Sequence, residues 1–230
     1  MIHAETADVL LDVQGVHKSF GPTPALRGAS LTVRRREIVA ITGPSGSGKS
    51  TLLLCAAGVL RPEVGTVRHD GRDLADLSDA ERALLRRRDV GLLLQFGQLV
   101  PELTAVQNVA LPLLLDRHDK AASLTTARFW LERLGALEQA EARPGEMSGG
   151  QGQRVAIARA LVTGPRLICA DEPTGALDTV GGEDVLQVLT EVARETAASL
   201  VVVTHDNRVA AVADREVVLR DGRDEPRAGD

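Results

Sequence analysis

Tyrosine is absent from the chain, and aromatic residues together make up only 2% of its 230 residues. Its core must therefore be built from Leu, Val, Ala and Ile. Cysteine occurs twice, as Cys55 and Cys169, each inside an apolar run (LLLCAAG and LICAD). That is too few ligands for a metal site, and two buried free thiols in a reducing compartment are expected. Long apolar runs are also missing. The densest, residues 109–115 and 200–203, fall well short of the ~20 apolar residues that a membrane-spanning helix needs. Residues 1–8 show neither a basic nor an apolar leader segment, so no secretory signal is expected. Any link to a membrane should then run through another chain. Positive charge is not in excess either, since the formal net charge is −5. Proteins that hold nucleic acid usually present a basic face, and no nucleic-acid partner is expected. The runs Arg34-Arg35-Arg36 and Arg86-Arg87-Arg88 have acidic neighbours (Glu37, Glu81, Asp89) and read as solvated faces.

What is present is ordinary for a globular protein: 43% hydrophobic and 26% charged residues. The length fits one large α/β domain, or a core with an inserted subdomain. Residues 9–16, 31–33 and 38–41 read as strands. A Gly-rich loop follows at 43–48, then a helix-like apolar run at 52–59 that ends at Arg61-Pro62. Residues 66–69 with Asp70-Gly71 suggest a short strand and a turn. Residues 78–87 look helical, with Ser78 as N-cap and Glu81 at the capping-box position. A buried strand at 90–94 precedes a helical stretch from 97 to 143, broken at Pro101 and Pro112. Helix and strand then alternate: helix 151–162, strand 167–170, helix 180–196, strand 200–204, a short helix, and a last strand near 216–219. Such alternation argues for a mostly parallel sheet covered by helices. The polar tail from Asp221 should fray.

Gly43-Pro44-Ser45-Gly46-Ser47-Gly48-Lys49-Ser50-Thr51 fits G-x-x-x-x-G-K-[ST] in full, between a strand and a helix as its mechanism demands. Its glycines let backbone N–H groups converge on phosphate oxygens, and the helix start adds a favourable dipole. Lys49 can reach the β and γ phosphates of ATP, and the Ser50 hydroxyl can ligate Mg²⁺. A second signal is the run Arg166-Leu167-Ile168-Cys169-Ala170-Asp171-Glu172, an apolar strand ending in two carboxylates. In a parallel sheet that end lies beside the phosphate loop. Asp171 can hold Mg²⁺, and Glu172 can orient and deprotonate an attacking water.

A third motif points to a family. Met147-Ser148-Gly149-Gly150-Gln151 followed by residues 153–161 (QRVAIARAL) resembles the signature and signature helix of the ABC (ATP-binding cassette) ATPases. It stands just upstream of Asp171-Glu172-Pro173-Thr174, in the order that family uses. The resemblance spans about residues 9–222. It implies an α/β P-loop NTPase core with a mostly parallel sheet, an N-terminal antiparallel β subdomain and an inserted helical subdomain. On that reading residues 9–95 and 146–222 form the ATP-binding core, 97–145 the helical insertion and 223–230 a tail. It further implies a homodimer packed head to tail around two ATP. Ser148, Gly149 and Gly150 would then bind the γ-phosphate held by the partner's phosphate loop. Gln95 resembles the glutamine that touches Mg²⁺ and the attacking water. His205 resembles the switch histidine that senses the γ-phosphate. Asp178, in Gly175-Ala176-Leu177-Asp178, resembles the residue that contacts the opposite protomer. Phe20 lies where the family places an aromatic that stacks on adenine. Met147 replaces the usual Leu, a swap of similar volume. Gly152 replaces a longer side chain, which can loosen the helix start by about 1 kcal/mol.

Residues 95–114 (QFGQLVPELTAVQNVALPLL) resemble one branch of the family, the ATPases of lipoprotein-release and macrolide-export systems. That branch implies an integral membrane permease as partner, a location at the cytoplasmic face of the membrane, and ATP work spent on conformational change. Phe96, Leu99, Val100 and Leu103 fit a groove for a permease helix and equally fit ordinary core packing. Soluble ABC ATPases of DNA repair carry coiled coils or zinc modules, and ribosome-binding ones join two cassettes by a basic linker. Neither feature is in this sequence.

Overall fold

The computed structural model describes residues 8–94, 98–174, 179–204 and 212–225, and of residues 179–184 only the backbone. Two sheets enclose one buried helix. The first sheet is four-stranded and antiparallel, in the order β2-β1-β4-β5, from β1 (Val9–Phe20), β2 (Thr23–Arg34), β4 (Val64–His69) and β5 (Arg72–Asp73). The second sheet has the order β10-β9-β3-β8-β7-β6. Its strands are β3 (Ile38–Thr42), β6 (Val90–Leu93), β7 (Leu167–Asp171), β8 (Ser199–Val203), β9 (Arg215–Arg220) and β10 (Arg223–Asp224). Every pairing in it is parallel except β9 with β10.

The central parallel strands β3, β8 and β7 are apolar on both faces, as a sheet covered on both sides requires. Their side chains alternate between two cores. On β7, Leu167 and Cys169 face a core shared with α1 (Lys49–Ala56) and the antiparallel sheet, while Ile168 and Ala170 face the helical side. On β8, Val201 and Val203 divide from Leu200 and Val202 in the same way. Helix α1 is apolar on nearly every side because it lies between the two sheets, with Leu52, Leu53 and Cys55 fully buried. Burial pushes the Cys55 thiol up to about 11 and the Cys169 thiol up to about 12, so both are inert free thiols.

Helix α2 (Asp79–Asp89) begins with the capping box read from the sequence. Ser78 Oγ accepts from Glu81 N at 3.3 Å, and Glu81 Oε2 accepts from Ser78 N at 2.8 Å. The second arginine run closes this helix, where cations favour the dipole, and Arg88 pairs with Asp116 at 2.8 Å. Between β6 and the signature stand α3 (Ala105–Leu115) and α4 (Lys120–Arg133), with no strand among the described residues. Helices α5 (Gly149–Leu161) and α6 (Thr179–Thr196) complete the order.

Three expectations need correction. Pro112 does not break its helix but lies inside α3, which ends at Leu115, so the missing N–H costs one bond in the last turns. Strands β1 and β2 run 12 residues each, longer than the apolar alternation suggested, because β1 pairs along both edges. The tail does not fray at Asp221. Residues 221–225 form a hairpin with β9, and Asp224 Oδ1 accepts from Ser30 N at 2.7 Å.

Candidate nucleotide site

The phosphate loop leaves β3 at Thr42 and enters α1 at Lys49. Two of its glycines answer to neighbouring backbone. A Cβ on Gly43 (φ 135°) would lie 2.0 Å from the Leu219 carbonyl oxygen, and one on Gly48 (φ 101°) would lie 2.4 Å from that of Ala25. Both also adopt left-handed angles that side chains resist. Gly48 is the N-cap of α1 and makes no side-chain cap bond. The first amides of the helix therefore face a ligand position with the positive end of the dipole behind them.

The loop borders a cleft of about 560 Å³ lined by Phe20 and Ala25 on one side and Gly43, Ser45–Thr51 and Glu172 on the other. Lys49 is buried, and its Nζ donates to the carbonyls of Gly43 and Pro44 at 2.9 Å each. An ammonium held by two neutral carbonyls at the edge of the cleft is poised to take an anion. Ser47 Oγ is buried with no hydrogen-bond partner among the described residues, as befits a hydroxyl placed for a ligand. Phe20 is 53% exposed at the end of β1, so it is a cleft-rim residue and not a core one.

The carboxylates arrive from β7, two strands from β3 with β8 between them. Ser50 Oγ donates to Asp171 Oδ1 at 2.9 Å, which joins the loop helix to the acidic strand end. Burial holds the Asp171 carboxyl above its usual range. The Ser50 hydrogen bond opposes this, Glu172 adds to it, and Lys49 opposes it. A divalent cation would relieve that cost, and two adjacent hard oxygens suit Mg²⁺. Glu172 turns out of the strand at φ 48°, a sparsely populated angle for a non-glycine residue, and its N–H donates to the Val203 carbonyl at 3.0 Å. That turn lifts the side chain out of the sheet and into the cleft lining.

β6 and β8 end at the same sheet edge, at Leu93 and Val203. Gln95 and His205 follow each of these ends by two residues, and they and Asp178, downstream of β7, lie outside the described residues. Ser148, Gly149 and Gly150 are not brought to this cleft. They form the start of α5, where Ser148 and Gly149 are exposed and Ser148 closes a capping box with Gln151 (3.3 and 2.8 Å).

The family model described as "ABC transporter" matches residues 26–175, and the loop, the signature and the carboxylates all fall inside it. This chain belongs to the ABC transporter family. Among curated relatives, the "Lipoprotein-releasing system ATP-binding protein LolD" of Shewanella frigidimarina is 44% identical over 95% of this chain and 93% of its own. The protein of the same name from Bordetella pertussis is 44% identical over 94% and 95%. Among solved structures, the ATP-binding cassette MJ0796, a dimer in a post-hydrolysis state bound to ADP and Pi, superposes with a TM-score of 0.89. It is 38% identical, over 94% of this chain and 97% of that one. The chain is an ABC ATPase with the α/β P-loop architecture of those cassettes. No helix among the described residues is long and apolar enough to cross a membrane.

One site neighbour was not singled out in the sequence. Gln153, one turn into the signature helix, is buried and donates from Nε2 to the Pro173 carbonyl at 2.8 Å. It ties the helix to the residue after Glu172. A buried amide at a helical core position is the signal that could have drawn attention to it.

Proposed function

We propose that this chain is the ATP-hydrolysing subunit of a lipoprotein-releasing type of membrane system, peripheral to the cytoplasmic face through a permease and working as a head-to-tail pair around two ATP. Its core is residues 9–95 and 146–222, and its helical insertion is 97–145. The observation that carries the reading is the Ser50–Asp171 contact at 2.9 Å, which puts a phosphate loop and an acidic strand end in one cleft. The 44% identity to a lipoprotein-releasing ATPase over nearly the whole chain supplies the branch.

Phe20 would stack on the adenine. The amides of residues 43–51, including those of Ser45, Gly46 and Thr51, would hold the phosphates, with Lys49 on the β and γ groups. Ser50, Asp171 and Gln95 would hold Mg²⁺, which when bound neutralises charge on the phosphate oxygens. Glu172 accepts a proton from the attacking water. The water oxygen bonds to the γ-phosphorus as the bond to the β–γ bridging oxygen breaks, leaving ADP and phosphate. Gln95 and His205 would position that water. Ser148, Gly149 and Gly150 of each protomer would close on the γ-phosphate in the other, with Asp178 at the dimer contact. Phosphate release then lets the pair open.

The test is recovery of tagged Glu172→Gln, with ATP and Mg²⁺, from detergent-solubilised membranes. Mass spectrometry should find an integral membrane protein in near-equal amount. Recovery with ribosomes or DNA-bound proteins, or alone from the soluble fraction, would overturn the transport role.

A further inference from the structure

The hairpin of β9 and β10 lies beyond the residues matched by the family model, 26–175, yet it touches both ends of the phosphate loop. Asp221 (φ 50°) and Gly222 (φ 76°) form its two-residue connection, with left-handed angles at both positions as a type I′ turn requires. Gly222, at the tip, bonds in two directions. Its N–H donates to the Ser47 carbonyl at 3.0 Å, and its carbonyl accepts from Arg27 N at 2.7 Å. One residue thus bridges the phosphate loop and β2, the strand that lends Ala25 to the cleft.

The orientation of one peptide follows. In a planar trans peptide the C=O and N–H point opposite ways. With the Ser47 carbonyl turned to the hairpin, the Gly48 N–H points away from it. Gly48 lines the nucleotide cleft, and its amide is among those that would converge on phosphate. The backbones pack closely here. Added Cβ atoms on Gly48 and Gly222 would lie 2.4 and 2.8 Å from the same Ala25 carbonyl oxygen, and one on Gly43 would meet Leu219 of β9. Asp224 anchors the hairpin through Ser30 N.

We infer that Gly222 is a positioning residue for the nucleotide: the hairpin tip orients the Ser47–Gly48 peptide and thereby sets affinity for the phosphates. The inference rests on the phosphate role of residues 43–51, which Lys49→Ala tests separately. The experiment is calorimetric titration of the full chain with ADP and Mg²⁺, at a temperature where circular dichroism shows each variant folded. Gly222→Ala should bind about tenfold more weakly, the scale of one lost hydrogen bond, and Asp224→Ala about threefold more weakly. The control is Gly164→Ala, at φ +64° with open space around a Cβ, before β7 and so at the opposite sheet edge. It should lose thermal stability from strain alone and keep its affinity. If Gly222→Ala binds ADP as tightly as Gly164→Ala, the hairpin serves stability only and the inference fails. If Gly222→Ala does not fold, unchanged affinity in Asp224→Ala overturns it. If Lys49→Ala binds normally, the phosphate-loop reading itself is wrong.

Discussion

Two helices of this molecule begin with glycine-rich segments, and they are capped in opposite ways. Helix α1 starts from Gly48, in a left-handed conformation and with no side-chain cap, and Lys49 beside it is buried. Helix α5 starts from Ser148, whose hydroxyl accepts from Gln151 N while Gln151 accepts from Ser148 N. The first arrangement leaves the helix start wholly to a ligand and adds a cation. The second satisfies part of the helix start internally and stays exposed, leaving the Gly149 and Gly150 amides as donors without a partner in their own helix. On the proposed reading, the first start holds phosphate within its own chain and the second is a half-site to which a second chain would bring the phosphate.

Substitutions at each end can sharpen or break that contrast. Lys49→Ala should weaken ADP and ATP binding on the order of 100-fold, from the loss of charge-assisted bonds to phosphate, read by titration calorimetry. An affinity within a few-fold of wild type would end the distinction at its stronger side. Glu172→Gln should bind ATP yet hydrolyse it at least about tenfold more slowly, because the general base is gone while the loop is intact. A phosphate-release assay at wild-type rate would remove Glu172 from that role. Ser148→Ala should cost about 1 kcal/mol in urea unfolding as the cap is lost. It should leave ADP affinity of the single chain unchanged and weaken the ATP-induced dimer seen by size exclusion. Weakened ADP binding by the monomer would mean that the signature serves its own cleft. Gly152→Ala is the smallest change. A Cβ there meets nothing within 4 Å, and helix propensity should raise stability by up to about 1 kcal/mol, a rise of roughly 2–4 °C in Tm.

Two Asp-Gly turns of the same geometry differ in how plainly the sequence shows them. Asp70-Gly71 and Asp221-Gly222 have nearly the same angles (52° and 77°; 50° and 76°), and each joins two short antiparallel strands. The first lies between recognisable apolar stretches and was legible as a turn. The second introduces a polar tail, so its local signal was outweighed by composition. What holds it is remote in the chain: Ser30 reaches Asp224 across 194 positions, and Arg27 and Ser47 meet Gly222. Gln153 was hidden for a related reason, since its value lies in a carbonyl 20 residues away.

The chemistry and the family were legible in the residues alone. A phosphate loop, an acidic strand end and the signature each need particular residue types at short, fixed spacing, and local order displays them directly. The capping box at Ser78 was legible for the same reason. That Phe20 stands at the cleft rim, that Pro112 stays within its helix and that residue 222 bonds to the loop came from the folded arrangement. Each of these depends on which surfaces meet after the two sheets close around α1. Contacts between backbones that lie far apart in the chain leave no periodic trace in the sequence.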